Sequence, residues 1–310
     1  MEAEKWPGGE RAVKTAGKEK AGTLAAVFVI LAGAAVLCFP FVSNWLFIRQ
    51  AGSGAEFYGN PAVSGETAAD ETVGVWREEA GAYNRSLAQR GQRLSEPFGA
   101  GKAEEEGEAG ESAHGEAACQ SGELLCYVEI PSIEVSLPVY EGTGAEVLER
   151  GIGHLEGSSL PLGGADTHCV LSGHTGLNRA KLFTDLTLVE EGDIFYLKIP
   201  GETLAYEVDR IRVVEPGDVS ELGIRDGEDL VTLVTCTPYG INSHRLLVRG
   251  SRVPYREKDR TRMEEKGAVM PRTAWMGEHR LALYGVCGAG VVFLTVWVWG
   301  RRKKKEKKED

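Results

Sequence analysis

The sequence has little with which to hold a nucleic acid or a metal ion. Its 35 Lys and Arg are outnumbered by 46 Asp and Glu, giving a formal net charge of −11, and phosphate binding needs a basic footprint. The ends carry +1 (residues 1–20) and +4 (residues 301–310), which leaves −16 on the rest. Acidity of that kind serves solubility and says little about a substrate. The six cysteines lack metal-site spacing. His168 and His174 share strand parity, but no third ligand accompanies them, so a zinc site is not expected. No fold-scale repeat is evident.

Charge is missing altogether from Ala21 to Ile48 and from Leu281 to Gly300. Each run is long enough to cross a hydrocarbon core of about 30 Å as a helix. Lys14, Lys18 and Lys20 precede the first, and Arg301 to Lys305 follow the second. Bases mark the cytoplasmic flanks, so both termini are expected inside and the middle outside the cell. Trp275 and Trp299 sit where interfacial aromatics belong. A cleaved signal peptide is the alternative for the first run, which is long for an h-region and lacks a clear small-x-small site. A lipoprotein anchor at Cys38 conflicts with Leu37, where a small residue is needed.

These boundaries predict a cytoplasmic head (1–20), a span (21–48), an extracellular region (49–122), a β-rich domain (123–254), a polar stalk (255–280), a second span (281–300) and a basic tail (301–310). Within 49–122, Thr72 to Leu94 reads as a helix, with Val75, Ala80, Tyr83 and Leu87 near helical spacing. Gly99 to Gly122 is rich in Gly, Ala and Glu and reads as a solvated linker. Cys119 and Cys126 are placed where oxidation is permitted, although sequence supplies no pairing geometry. Cys38 and Cys287 fall in the spans as small apolar filler.

From Leu124 onward, short β-type runs appear at Leu125–Ile130, Val135–Tyr140, Thr167–Ser172, Ile194–Ile199, Leu204–Val208, Leu230–Thr235 and Arg245–Val248. Helical pieces near Ala145–Arg150 and Ala180–Leu186 interrupt them. Many short strands with turns such as Pro200-Gly and Pro216-Gly-Asp predict a mainly β fold, a closed barrel ending near Pro254. Cys169 falls in one of the runs and reads as core.

Cys236 ends a β-rich run, Val231-Thr-Leu-Val-Thr-Cys236, with Pro238 and Gly240 turning the chain beyond it. A thiol at a strand-end rim, outside the reducing cytoplasm, is either an incidental liability or a nucleophile. His174 lies at another strand end between Gly173 and Gly176, and Arg245 opens a third run. Thiol acyl transfer needs a nucleophile, a proton shuttle and a positive group for the oxyanion. Taken singly, His174 is an ordinary surface histidine and Arg245 an ordinary salt-bridge partner.

Thr232-Leu-Val-Thr-Cys236 resembles the TLxTC signature of the sortases, and Ser172-Gly-His174 with Arg245 fit that family's histidine and arginine positions. Gly151-Ile-Gly-His-Leu-Glu-Gly-Ser-Ser-Leu-Pro161, Ala180-Lys-Leu-Phe-Thr-Asp-Leu186, Gly192-Asp-Ile-Phe-Tyr196 and Thr235-Cys-Thr-Pro-Tyr-Gly-Ile-Asn242 are similar to the class C, pilin-polymerising sortases. The resemblance covers about Leu124 to Arg252, and a span at each end is also a class C arrangement. It implies a sortase β-barrel that needs no metal or organic cofactor. Cys236 would cleave a Leu-Pro-x-Thr-Gly-type sorting signal of a pilin or surface protein, and a lysine amine would resolve the thioacyl enzyme. His174 would shuttle the proton, and Arg245 would hold substrate and oxyanion. The resemblance further implies a lid at Glu96-Pro97-Phe98, where Glu96 replaces the family's aspartate. Glu96 is expected to pair with Arg245 while Phe98 covers the thiol; an exposed pair is worth about 0–1 kcal/mol, so such a lid opens readily. Cell-wall anchoring, thiol hydrolysis and a non-enzymatic surface module stand as alternatives.

Overall fold

The computed structural model describes residues 28, 31–36, 38–39, 41–49, 68–96, 98, 119–176, 180–269, 284–285, 288 and 290. Residues 1–20, part of the uncharged run 21–48 and most of the run 281–300, Pro97, most of the Gly99–Gly122 stretch, Trp275, Cys287, Trp299 and residues 301–310 lie outside them. Among the described residues no helix is long and apolar enough to cross a membrane. The chain forms two compact units, 1–42 with 276–310, and 43–275. In the first, the described positions are helical. The second holds the barrel.

Its elements are α1 (Ala68–Arg90), β1 (Leu124–Ile130), β2 (Val135–Glu141), α2 (Ala145–Arg150), β3 (Ile152–His154), β4 (Thr167–Ser172), β5 (Ile194–Ile199), β6 (Glu202–Val214), β7 (Asp229–Thr237), β8 (His244–Val253) and α3 (Glu257–Val269). The eight strands close in the order β1-β2-β3-β4-β7-β8-β6-β5. Neighbours are antiparallel except β2 with β3, joined across α2, and β4 with β7. Closure gives each strand a partner on both sides, which removes the open edges that invite pairing with other chains.

Strand parity decides what fills the barrel. Val128, Ile130, Leu137, Val139, Cys169, Leu171, Leu197, Val231, Leu233 and Val248 point inward and form the main core. Each such side chain contributes about 1.5–3 kcal/mol by leaving water. Every residue of β4 and β5 is buried, because both faces of these strands are covered. A helix closes the outer face of β5: Met263 of α3 packs with Ile194, Tyr196 and Ala205.

Residues 257–269 therefore form a packed helix within the region expected to be a polar stalk. Gly267 sits so close to the Pro131–Ile133 turn that an added Cβ would lie 2.4 Å from the Pro131 carbonyl oxygen. Arg260 pairs with Glu129 and Lys266 with Asp193, so a sequence with almost no apolar stripe is held chiefly by ion pairs and one methionine. Helix α1 buries Ala80, Asn84 and Leu87, whereas Val75 is 51% exposed and Trp76 takes the packing position beside it. The Asn84 carboxamide donates to the Leu160 carbonyl and accepts from its N–H, clamping α1 to the barrel. Cys119 and Cys126 are both free thiols; Cys119 accepts a hydrogen bond from Trp76 Nε1, and Cys126 faces the core.

Candidate active site

Three neighbouring strands carry the three residues singled out by type. Cys236, near the end of β7, is paired in register with Arg245 at the start of β8. On the other side of β7, Ser172 pairs with Val234, and the Gly173 N–H donates to the Val234 carbonyl at 3.0 Å. Two further residues along each strand bring His174 toward the level of Cys236. Val231 and Leu233 fill the core while Val234 packs outside it, so the same alternation turns Cys236 away from the barrel interior.

The residues around the rim are fixed by short hydrogen bonds. Thr235 Oγ1 donates to the Gly173 carbonyl at 2.7 Å, and Thr175 bonds the same hydroxyl. Gly173 faces side chains: an added Cβ would fall 2.6 Å from Ile152 Cδ1 and 2.7 Å from the Phe183 ring. Gly176 has φ +80°, a conformation that favours glycine, beneath the Tyr239 ring. Between β7 and β8 the Pro238 carbonyl accepts the N–H groups of Ile241 and Asn242. That turn presents the Asn242 carbonyl to Arg245 Nη1 at 3.1 Å.

A strap from the end of α1 lies over this face. Gln92 Oε1 accepts the Ile224 N–H at 2.7 Å. The Arg93 carbonyl presses against Gly157, where a Cβ would lie only 2.4 Å away. Leu94 and Phe98 pack on Leu155, Val170, Leu222, Val234 and Leu247. Glu96 forms an ion pair with Arg245 Nη2. The Phe98 ring centre lies 5.9 Å from that of His174 and 5.2 Å from the Arg245 guanidinium carbon. The Glu96 and Arg245 side chains keep only 22% and 11% of their exposure. This is not the exposed pair the sequence suggested, and separating it costs more than a surface pair would.

The electrostatics follow from this cover. Burial pushes the Cys236 thiol above its ordinary pKa; Arg245 opposes that shift and Glu96 adds to it. Burial lowers His174, with Glu149 acting weakly the other way. The covered site thus favours a neutral thiol and a neutral imidazole. Arg245 Nε is buried and has no hydrogen-bond partner among the described residues. A donor left open beside the thiol is suited to a carbonyl oxygen.

His168 takes no part in this cluster. Its Nδ1 meets the Gly223 carbonyl at 2.8 Å and its Nε2 meets Thr232 Oγ1 at 2.7 Å. Burial lowers its pKa to about 4, so it acts as a neutral tie between β4, β7 and the connection before β7. Gln92 and Leu94 were not singled out in the sequence. Leu94, an isolated apolar residue two positions before Glu96, was the available signal.

Residues 128–253 match the Sortase domain family. The chain is 31% identical to Sortase D of Bacillus subtilis over 137 residues, 43% of this chain and 66% of that protein. It spans between about half and two thirds of the length of the curated relatives it matches. Among solved structures it is similar to Sortase C1 of GBS Pilus Island 1, with 42% identity over 67% of this chain and 94% of that one, and a TM-score of 0.56. Sortase C-1 of Streptococcus pneumoniae is 46% identical, over 62% of this chain and 94% of that one, with a TM-score of 0.53.

Proposed function

The chain belongs to the sortase family of cysteine transpeptidases, and on that premise we propose that it joins surface proteins through a Cys236 thioester. The substrate is a Leu-Pro-x-Thr-Gly-type sorting signal, and the acceptor is a lysine amine of a pilin subunit. The observation that carries this reading is the alignment of His174, Cys236 and Arg245 on three adjacent strand ends beneath the Glu96–Phe98 strap. Its likeness to sortase C1 of a pilus island supports the pilin assignment.

In this mechanism the strap leaves first. Its departure removes the Glu96 charge and the Phe98 cover, so Arg245 faces the thiol alone and the thiolate becomes accessible. Cys236 passes its proton to His174, the Sγ thiolate attacks the threonine carbonyl carbon, and Arg245 donates to the oxyanion. The C–N bond to glycine breaks as His174 gives a proton to the leaving amine. The lysine amine then attacks the thioester and His174 takes its proton; the C–S bond breaks, and His174 returns that proton to Cys236 as the isopeptide product leaves.

The setting proposed for this chemistry is the outer face of a cell membrane. Residues 21–48 and 281–300 span it, both termini are cytoplasmic, and 123–254 form the external catalytic domain.

The test incubates the protein with a sorting peptide, with and without a lysine-bearing acceptor, and follows mass at Cys236. An acyl adduct at Cys236 resolved into amide product is expected. Cys236→Ala should abolish the adduct, and His174→Ala should lose nearly all turnover. Release of free acid alone in the presence of acceptor would make the chain a hydrolase instead.

A further inference from the structure

The helical residues 43–49, at the end of the first uncharged run, have two unlike faces. Asn44 and Phe47, three positions apart, share one side of the helix. Asn44 Oδ1 accepts the Lys181 N–H at 2.8 Å, and Phe47 packs against the main core cluster. The other side shows Trp45, Leu46 and Ile48, which are 56%, 46% and 38% exposed. The Arg49 guanidinium lies 5.3 Å from the Trp45 ring centre. An exposed apolar face ending in Trp and Arg fits the headgroup level of a bilayer.

Lys181 opens the segment that steadies the histidine. The Phe183 N–H donates to the His174 carbonyl at 3.2 Å, and the Gly176 N–H donates to Thr184 Oγ1 at 3.1 Å. Lys181 Nζ is itself tied to the Ile133 carbonyl at 2.8 Å and to Asp185 at 2.6 Å. The Asn44 carboxamide is thus bonded two residues before the backbone N–H that holds His174. Without it, a partly buried N–H loses its partner and the segment is free to shift.

We propose that Asn44 and Phe47 are positioning residues for His174, so that the end of the membrane anchor completes the catalytic rim. The proposal rests on the assignment of His174 as the proton shuttle and of residues 21–48 as a span. Anchoring then does more than tether the enzyme: it fixes the imidazole against a thiol on a different strand. Small misplacements of such a group cost turnover rather than binding.

The test uses the full chain in detergent micelles, comparing Asn44→Leu, Asn44→Asp and Phe47→Ala. Asn44→Leu and Phe47→Ala should lower kcat about five- to twentyfold with KM little changed, and should move the limb of the pH–rate profile assigned to His174. Asn44→Asp keeps an oxygen acceptor and should restore most of kcat. Wild-type kcat in both Asn44→Leu and Phe47→Ala overturns the proposal. So does a loss matched by an equal fall in KM or by a lowered melting temperature of the barrel. His174→Ala in the same assay separates the two readings, since turnover in that variant would defeat the proposed function whatever Asn44 does.

Discussion

The carboxylate of Glu96 is paired with the guanidinium of Arg245, 149 positions further along the chain. One group of the rim is thereby engaged by the strap whose Phe98 ring lies beside His174 and Arg245. Removing either strap contact should unmask Cys236. Phe98→Ala and Glu96→Ala are each expected to speed alkylation of Cys236 by a small thiol reagent. Equal rates in both variants and the wild type would show that the strap does not guard the site.

The pH dependence of that alkylation has a definite sign. Burial and the Glu96 charge both disfavour the thiolate. Glu96→Gln removes the charge while leaving a side chain of the same length. The alkylation profile of Glu96→Gln should therefore rise at lower pH than that of the wild type. A shift to higher pH would mean that Glu96 acts mainly by restraining Arg245.

Arg245 holds the Asn242 and His244 carbonyls through one nitrogen and Glu96 through another. An ammonium cannot reproduce that planar fork. Arg245→Lys should lose about 10²–10³ in kcat, comparable to removal of an oxyanion donor. Single-turnover acylation of Cys236 is the measurement, and a loss under threefold would remove Arg245 from the chemistry.

A second buried pair bears on stability rather than chemistry. His154 Nδ1 meets Glu141 at 2.8 Å, and its Nε2 meets the Ser159 carbonyl at 3.0 Å. Burial works against the charged ring, but Glu141 and the Ser159 carbonyl outweigh it and raise the pKa above the ordinary histidine value. A raised folded-state pKa contributes stability that is fully present below the unfolded value of about 6.5 and is lost as pH rises through the folded value. The melting temperature should fall across that window. Glu141→Ala should cost about 1–3 kcal/mol at pH 6 by leaving a buried ring N–H unpaired, and it should flatten the pH dependence. A wild-type melting curve indifferent to pH between 6 and 9 would contradict this account.

The orientation has its own check. A cysteine probe placed in Gly99–Gly122 should be labelled on intact cells by an impermeant reagent, and one placed after Lys303 should not. Labelling of the tail from outside would overturn the arrangement.

Much of the barrel was legible because its short β-type runs are set apart by turn signals. Thr167–Ser172 and Ile194–Ile199 have the predicted bounds, and α2 coincides with the run Ala145–Arg150. Strand β3 escaped notice, since Ile152-Gly-His154 is three residues long and owes its existence to pairing with β2 and β4. Strand β6 continues to Val214, well past Val208, because Asp209 forms a bulge whose carboxylate binds Arg249 and Ser251. Ala180–Leu186 reads as helical yet forms only a 3-10 turn at Thr184–Leu188. Just before it, the Lys181 ammonium is tied to the distant Ile133 carbonyl and to Asp185 four residues on. At the site, residue types and strand ends were readable. The seating of Gln92, Arg93 and Leu94 was not, because it depends on Gly157 and Ile224, far away in the chain.

The parallel pairing of β4 with β7 has a consequence for how this protein comes into being. His174 and Cys236 lie 62 positions apart, and their strands are held together only where a late-arriving hairpin is added. Strand β8 must then pair with both β7 and β6 to seal the wall. Such non-local pairings form slowly, because loop closure precedes any reward. A chain emerging N-terminus first therefore presents its strap before the apolar seat for that strap exists, since the seat includes Leu247 of β8. Thiol, imidazole and cover come together in one late closing step. A chain that stops before His244 should accordingly be inert as well as unstable, and its open β7 edge would be a site for faulty pairing with other strands.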